Sequence, residues 1–342
     1  MSVQVIPVPE QSVVGIEAAF QSKGAQAAVF RPRFGQAHQQ YFSPRWIAEA
    51  AVGIAEGLYD IHEIAGQRSG YPLRVVDPTC GSGRLIAPFA EHGHQVLGIE
   101  LDERLVPIAR RAVGKGSIRR GDVCAYAPAI PTGSFDVAVI NPPYGLWWPC
   151  EGQYLADYEL ASGSSIESQA MVLELATRLL WDEYYEGGVL IALLSGKFWD
   201  TYPKAAEFVK RHYQIIADLT LPTPYKPEYG IDVDGALLVA YRSNPHNHNK
   251  KPAPLTGVFE GEDPGALTEG VVRAYEEHIG KQYSWATQCY YLPKRNYDRA
   301  LPEVPELSMA VSVDVDHTHL ALTGRGVRPT DAWSSVWLEF YA

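Results

Sequence analysis

The run Phe135-Asp136-Val137-Ala138-Val139-Ile140 ends in Asn141-Pro142-Pro143-Tyr144, and two successive prolines at a strand end are uncommon unless their rigidity serves a purpose. Rigid placement aims two acceptors outward, the Asn141 side-chain oxygen and the Pro142 carbonyl. Both can accept from one amino group, which draws an aryl amine's lone pair out of conjugation and makes it a usable nucleophile. Positioning contributes most of the rate in such a site, and no separate base is required, because the nitrogen's proton becomes acidic only after substitution. Tyr144 offers a face on which a planar base can stack. A base in a duplex reaches that face only by leaving the helix. Trp147 and Trp148 follow at once and are read equally as core residues or as wedges into a base stack.

The second chemical element is Asp77-Pro78-Thr79-Cys80-Gly81-Ser82-Gly83-Arg84, directly after the apolar run at 73–76. A glycine turn at the carboxyl end of a parallel strand is where open α/β sheets bind ligands. A dinucleotide fingerprint needs a third glycine at position 86, where this chain has Ile86, so the loop is a poor pyrophosphate cradle. The Asp77 carboxylate suits a cationic group instead, such as the ammonium of the methionine portion of S-adenosylmethionine, with Thr79 on the same turn. Glu100 ends the next strand, about twenty residues on, where nucleotide-binding sheets place an acid on the ribose hydroxyls. Asp122 follows a third strand and can accept from an adenine amino group while Val123 packs on the ring.

The elements that must position these loops alternate regularly. A helix over 46–65 leads into the strand at 73–78, a helix from near Arg84, a strand at 95–101, a helix from Asp102 to about Val113, strands at 117–123 and 135–143, a helix over 165–185, a turn at Gly187-Gly188, a strand at 189–195 and a helix over 204–213. Such alternation predicts a parallel sheet with crossover helices. The strands at 215–222 and 236–242 have only a loop between them, which predicts a closing antiparallel pair at the sheet edge. The Asn-, Pro-, His- and Lys-rich stretch 243–254 reads as a linker. Four parts are therefore expected: an extension 1–35, a catalytic domain 36–242, the linker, and a small α+β region 255–342 for recognition or interdomain contact. In that region Pro264 starts a helix with Leu267, Val271, Tyr275 and Ile279 on one face and Gly280 as its stop. Near the end Asp314 and Asp316 share one strand face and His317 and His319 the other. Exposed strand is the preferred reading there, and no metal is expected.

With 342 residues and 46% hydrophobic content the chain can bury a full core. No stretch reaches the roughly 18 apolar residues of a membrane span, and the N-terminus lacks a signal-peptide layout, so a soluble cytoplasmic protein without a membrane partner is expected. Cys80, Cys124, Cys150 and Cys289 show no paired spacing and are read as free thiols. The net charge of -11 argues against a protein that coats nucleic acid. A local basic face suffices for a modifying enzyme, and the candidates are Arg31 with Arg33, Arg110 with Arg111, Arg119 with Arg120, and Lys210 with Arg211.

Together these motifs resemble the amino-methylating (N6-adenine) DNA methyltransferases in which the cofactor loop precedes the Asn-Pro-Pro-Tyr loop, the gamma-type motif order. The resemblance spans about residues 36–242, and Tyr41-Phe42-Ser43-Pro44 is similar to that family's upstream element. It implies a Rossmann-like sheet, S-adenosylmethionine as cofactor, and Phe42 and Ser43 lining the methionine pocket. Asp77, Gly81 and Gly83 would hold the methionine end, Glu100 the ribose, Asp122 the adenine, and Asn141 to Tyr144 a target adenine flipped out of double-stranded DNA. A second aromatic from the loop between the last two strands, Tyr225 or Tyr229, would complete a sandwich on the base. The implied setting is restriction-modification, with a restriction or helicase partner or a fused module. The family's recognition domain is larger than the residues after the linker, which departs from the pattern. The alternatives weighed are RNA adenine-N6 methylation, N4-cytosine methylation in DNA, a release-factor glutamine methyltransferase, and an idle methyltransferase-like binding module.

Overall fold

The computed structural model describes residues 42–63, 72–114, 117–149, 154–163, 165–183, 186–229, 232–242, 253–283, 301, 302 and 304. In chain order the first half runs α1 (Arg45–Glu63), β1 (Arg74–Asp77), α2 (Ala87–Glu91), β2 (Gln95–Glu100), α3 (Val106–Val113), β3 (Ile118–Arg120), α4 (Val123–Tyr126), β4 (Val137–Ile140), β5 (Trp147–Pro149) and β6 (Ser165–Glu167). The second half runs α5 (Ser168–Leu179), β7 (Asp182–Glu183), β8 (Glu186–Gly187), β9 (Val189–Ser195), α6 (Phe198–Thr201), α7 (Pro203–His212), β10 (Tyr213–Leu221), α8 (Lys226–Tyr229), β11 (Gly235–Arg242), β12 (Leu255–Val258) and α9 (Pro264–Tyr283).

Eight strands form one sheet in the order β12-β10-β11-β9-β4-β1-β2-β3. β3, β2, β1, β4 and β9 are parallel, and the near-continuous apolar runs of β1, β2, β4 and β9 suit strands covered on both faces. Successive side chains alternate between two cores. Val75, Val137, Val139, Ile191 and Val239 face α1 and α9, while Val76, Ala138, Ile140, Ala192 and Leu238 face α5 and α7. The chain lays β2 and β3 on one side of β1 and then places β4 on the other. That reversal opens a crevice at the carboxyl ends of β1 and β4, between the two chemical loops.

The expected antiparallel pair is present, since β11 runs antiparallel to both β9 and β10. It does not end the sheet. β12 pairs parallel with β10 outside it, and α9 buries Leu267, Val271 and Tyr275 against α1. Residues 255–283 therefore continue the sheet and its helical layer instead of standing apart. The reason is steric: a Cβ on Gly53 would lie 2.9 Å from Thr268 Oγ1 and one on Gly57 2.6 Å from Val272 Cγ2, so these two glycines of α1 let α9 come close.

Several boundaries differ from those read in the sequence. α2 starts at Ala87 and α3 at Val106, because turns occupy 81–86 and 102–105 and each helix admits its proline only in the first turn. The helix expected over 165–185 is α5 alone, preceded by β6 and followed by the β7–β8 hairpin, which contains Gly187. α9 runs through Gly280 to Tyr283. Residues 301 and 304 lie against the sheet near β2 and β3, where Leu301 N donates to Gln95 Oε1 at 3.0 Å and Arg119 Nε to the Val304 carbonyl at 2.6 Å. No helix among the described residues is long and apolar enough to cross a membrane.

Candidate functional site

A cleft of about 850 Å³, including its solvent-open part, occupies the crevice at the ends of β1, β2 and β4. Phe42, Ser43, Asp77, Thr79, Gly81, Glu100, Asp122, Val123, Asn141 and Pro143 all line it. One half is acidic. Asp77 and Glu100, at 2% and 7% exposure, end adjacent strands, and neither forms an ion pair among the described residues. Burial pushes Asp77 up to about 8, opposed by the Thr79 N–H at 3.0 Å and assisted by the Glu100 charge. Burial likewise carries Glu100 to about 7, against the Asp102 N–H that it accepts at 2.6 Å. Two buried carboxylates without a cation are electrostatically incomplete, and a ligand bearing positive charge completes them.

The glycine turn fits the same ligand. Gly81 and Gly83 have φ of +55° and +77°, which favour glycine. A Cβ on Gly81 would lie 3.2 Å from the Phe42 ring, and one on Gly83 would lie 3.1 Å from Ala109 Cα of α3. Thr79 Oγ1 and Ser82 Oγ, both buried in this turn, have no hydrogen-bond partner among the described residues. Orphaned hydroxyls in a lined cleft mark polar positions that a ligand satisfies. Asp122 N-caps α4 by accepting from Cys124 N at 2.8 Å, with Val123 buried beside it.

The other half holds the Asn-Pro-Pro-Tyr loop. Asn141 Nδ2 donates to Ser43 Oγ at 3.1 Å, which turns the amide oxygen toward two phenols. The Tyr225 and Tyr144 hydroxyls lie 3.2 and 3.4 Å from Asn141 Oδ1 and 2.8 Å from each other. Pro143 lines the cleft, whereas Pro142 is buried outside its lining. Tyr225 reaches the site from the loop between β10 and β11. Its ring is fully buried and its hydroxyl is engaged, so in this conformation it is not an open stacking face. Tyr229 lies at the end of α8.

Other polar residues support this loop and were not singled out in the sequence. Glu167, at 2% exposure, accepts from Gly145 N at 2.9 Å, and Ser168 Oγ donates to the Pro143 carbonyl at 2.6 Å. Their signal was available, since a polar pair directly before an apolar run is an N-cap pattern, but the apolar periodicity hid it inside a longer helix. The expected basic face is weaker than the sequence suggested. Arg120 pairs with Glu103, Lys210 with Glu207 and Arg211 with Glu159, while Arg110 and Arg119 are turned to backbone carbonyls. Arg31, Arg33, Cys150, Cys289 and the Asp314, Asp316, His317 and His319 strand lie outside the described residues. Cys80 and Cys124 are buried free thiols, and the described residues contain no group of metal-binding side chains.

Residues 75–157, which carry both chemical loops, match the family model for a methyltransferase domain. The fold is that of the S-adenosylmethionine-dependent methyltransferases. A class I S-adenosylmethionine-dependent methyltransferase assigned in Listeria monocytogenes is similar over 79% of each chain, with a TM-score of 0.53 and 16% identity. The methyltransferase subunit of a type I restriction-modification system from Streptococcus thermophilus matches 70% of this chain and 53% of its own, at a TM-score of 0.46 and 17% identity. Among curated proteins, the rRNA N(6)-adenosine-methyltransferase metl-5 of Caenorhabditis elegans is 31% identical over 106 residues, 29% of this chain. The match spans 47% of that relative's length. S-adenosylmethionine is the cofactor, and the cleft fits it: its ammonium suits Asp77, its ribose hydroxyls suit Glu100 as an acceptor, and its carboxylate suits the orphaned hydroxyls of the turn.

Proposed function

We propose that this chain methylates the exocyclic N6 amine of adenine in DNA, on a base flipped out of the duplex. The observation that carries the reading is that Asn141 Oδ1, an acceptor held in register by Ser43, shares one cleft with the Asp77 and Glu100 carboxylates. Asp77 and the turn hydroxyls would hold the methionine end of the cofactor, Glu100 its ribose, and Asp122 and Val123 its adenine. Bound there, S-adenosylmethionine supplies an electrophilic methyl group.

The protein's part is positioning. The target amine brings two N–H donors, one for Asn141 Oδ1 and one for the Pro142 carbonyl, and so replaces the phenols that now approach Asn141. Tyr144 and Tyr225 keep their mutual hydrogen bond or move to the faces of the base. The nitrogen's lone pair is then aimed into the cleft. Transfer there would form an N–C bond as the cofactor's S–C bond broke, and the nitrogen would afterwards give up one proton to solvent. DNA is placed first because the upstream Phe42-Ser43 element and the order of loops resemble the DNA enzymes. Residues 255–283 are built into the sheet, so we assign sequence reading on the duplex to other parts of the chain, to a restriction or helicase partner, or to a fused module. RNA adenine is the second reading, favoured by the 31% identity to the rRNA enzyme.

The test is transfer of labelled methyl to duplex DNA, single-stranded DNA, RNA and a release factor in parallel, with mass analysis of the nucleosides and peptides. N6-methyladenine in DNA supports the proposal. Label only in RNA transfers the same mechanism to the second reading, and label only in protein refutes both.

A further inference from the structure

Glu167 ends β6 at the point where the chain turns into α5, and its two oxygens have different backbone partners. Oε2 accepts from Gln169 N at 2.8 Å and Ala170 N at 3.2 Å, which caps α5. Oε1 accepts from Gly145 N at 2.9 Å and from Gln169 Nε2 at 3.3 Å. Gly145 is the residue directly after Asn-Pro-Pro-Tyr. Ser168 has one hydroxyl proton, and its 2.6 Å approach to the Pro143 carbonyl puts that proton on the loop. Ser168 N donates to the Leu146 carbonyl at 2.9 Å, and β5 and β6 pair so that Trp147 lies opposite Glu167. The Gln169 side chain accepts from Ser195 N at the end of β9. The chain directly downstream of the two prolines is thus fastened to residues 166–169.

We propose that Glu167, with Ser168, is the positioning residue of the Asn-Pro-Pro-Tyr loop: it fixes the backbone after Tyr144, and through it the direction of the Asn141 and Pro142 acceptors. The inference rests on the methyl-transfer reading of that loop. A carboxylate is suited to the task because all its N–H partners are donors, and a single acceptor-only group serves the helix and the loop together. Burying a carboxyl here is costly, and burial does raise its pKa. An ordinary helix cap needs no such group, since serine or aspartate caps as well. The second oxygen, engaged by Gly145, is what a cap alone leaves unexplained.

The test compares Glu167→Gln with Ser168→Ala and with Glu174→Gln in the full chain. The amide introduced by Glu167→Gln keeps one oxygen for the helix cap and must then present its NH2 to the Gly145 N–H, donor against donor. Glu174, on the same helix, is also buried at 2% exposure, accepts from Glu159 N and Leu160 N at 2.9 Å and pairs with Arg178, away from the loop, so its variant reports the loss of a buried, fully engaged acid that does not touch the loop. Three quantities are measured: kcat for methyl transfer, Kd for the cofactor, and hydrogen–deuterium exchange of the peptide covering 141–149. We expect Glu167→Gln to lower kcat about a hundredfold, the scale of a misplaced reacting group. Cofactor Kd should stay within about twofold, and exchange should rise in 141–149 without rising in β4. Ser168→Ala should do the same to a smaller degree, and Glu174→Gln should leave kcat and the exchange of this peptide alone. Unchanged exchange in 141–149 for Glu167→Gln, or a kcat loss matched by Glu174→Gln, overturns the proposal. If the wild-type chain methylates nothing, the functional reading fails, while the exchange experiment still decides whether Glu167 holds the loop.

Discussion

Cofactor affinity should depend steeply on pH, and Asp77 should be the main cause. In the free protein burial holds Asp77 near 8 and Glu100 near 7, so at pH 6 both carboxyls are protonated. An unfolded Asp titrates near 3.8. Between these values the folded chain binds the extra proton, so the stability of the free protein falls as pH rises from about 4 toward 8 and then levels. Binding runs the other way. The cofactor ammonium prefers ionised Asp77, and below pH 8 that requires release of a proton. Affinity then changes by about tenfold per pH unit for one released proton, or roughly 30-fold between pH 6 and 7.5. The upper limit of the window is set by the ammonium itself, which loses its charge at alkaline pH. The assay is calorimetric titration with the demethylated cofactor, which keeps the ammonium and cannot react, in buffers of different ionisation enthalpy so that released protons are counted. Asp77→Asn should bind more weakly and lose most of the slope. A slope beyond one proton assigns the excess to Glu100, since the two acids are coupled and titrate as a pair. A Kd that is flat from pH 6 to 7.5 in the wild type, or an equal slope in Asp77→Asn, refutes the assignment of Asp77 to the cofactor's ammonium.

Three further outcomes are expected. Asn141→Ala should lower kcat by roughly 10²- to 10³-fold, the scale for one positioned catalytic hydrogen-bonding group, with cofactor Kd nearly unchanged; normal turnover removes Asn141 from the chemistry. Gly81→Ala places a Cβ 3.2 Å from the Phe42 ring at a φ of +55°. It should cost about 1–2 kcal/mol of backbone strain, read in the cofactor Kd and the thermal midpoint, and an unchanged Kd argues that the turn does not touch the cofactor. Gly57→Ala brings a Cβ 2.6 Å from Val272 Cγ2; overpacking of about 1–3 kcal/mol should outweigh the roughly 1 kcal/mol gain in helix propensity. A lower thermal midpoint with unchanged kcat per folded molecule is expected, and a stabilised variant would falsify the docking of α9 on α1.

The chemical loops were legible in the sequence because each sits where an apolar strand stops, and strand ends in a parallel sheet converge whatever the helices between them do. Asp77, Glu100, Asp122 and Asn141 are therefore found in one cleft. What periodicity could not convey was contact between elements distant in the chain. Ser43 meets Asn141 98 residues later, and Tyr225 meets it 84 residues later; neither distance leaves a trace in spacing. The capping of α5 was hidden for a different reason, since Ser165, Ile166 and Glu167 fit both the helical pattern and the strand that they form. The destination of 255–283 was misread because the linker-like 243–254 is a compositional signal, whereas docking depends on Gly53 and Gly57, two small residues whose value shows only when a second helix faces them.

On the proposed reading the arrangement around Asn141 also bears on substrate choice. With the two phenols 3.2 and 3.4 Å from Oδ1, the free site leaves that acceptor satisfied. An entering group must therefore match what it displaces, and a lone hydroxyl or a methyl gains nothing by doing so. A primary amine on a planar ring does gain, because one hydrogen takes the place of the phenols on Asn141, the second reaches the Pro142 carbonyl, and the ring itself can stack on Tyr144. A site that has to reject a polar analogue lacking the right donor does so strongly, by leaving its own groups unpaired. Tyr225→Phe tests this balance directly. Without its hydroxyl Asn141 Oδ1 is easier to reach, so KM for the amine substrate should fall or hold while discrimination against bases without an exocyclic amine weakens in binding. Loss of turnover with unchanged discrimination would instead make the phenol part of the substrate-bound site.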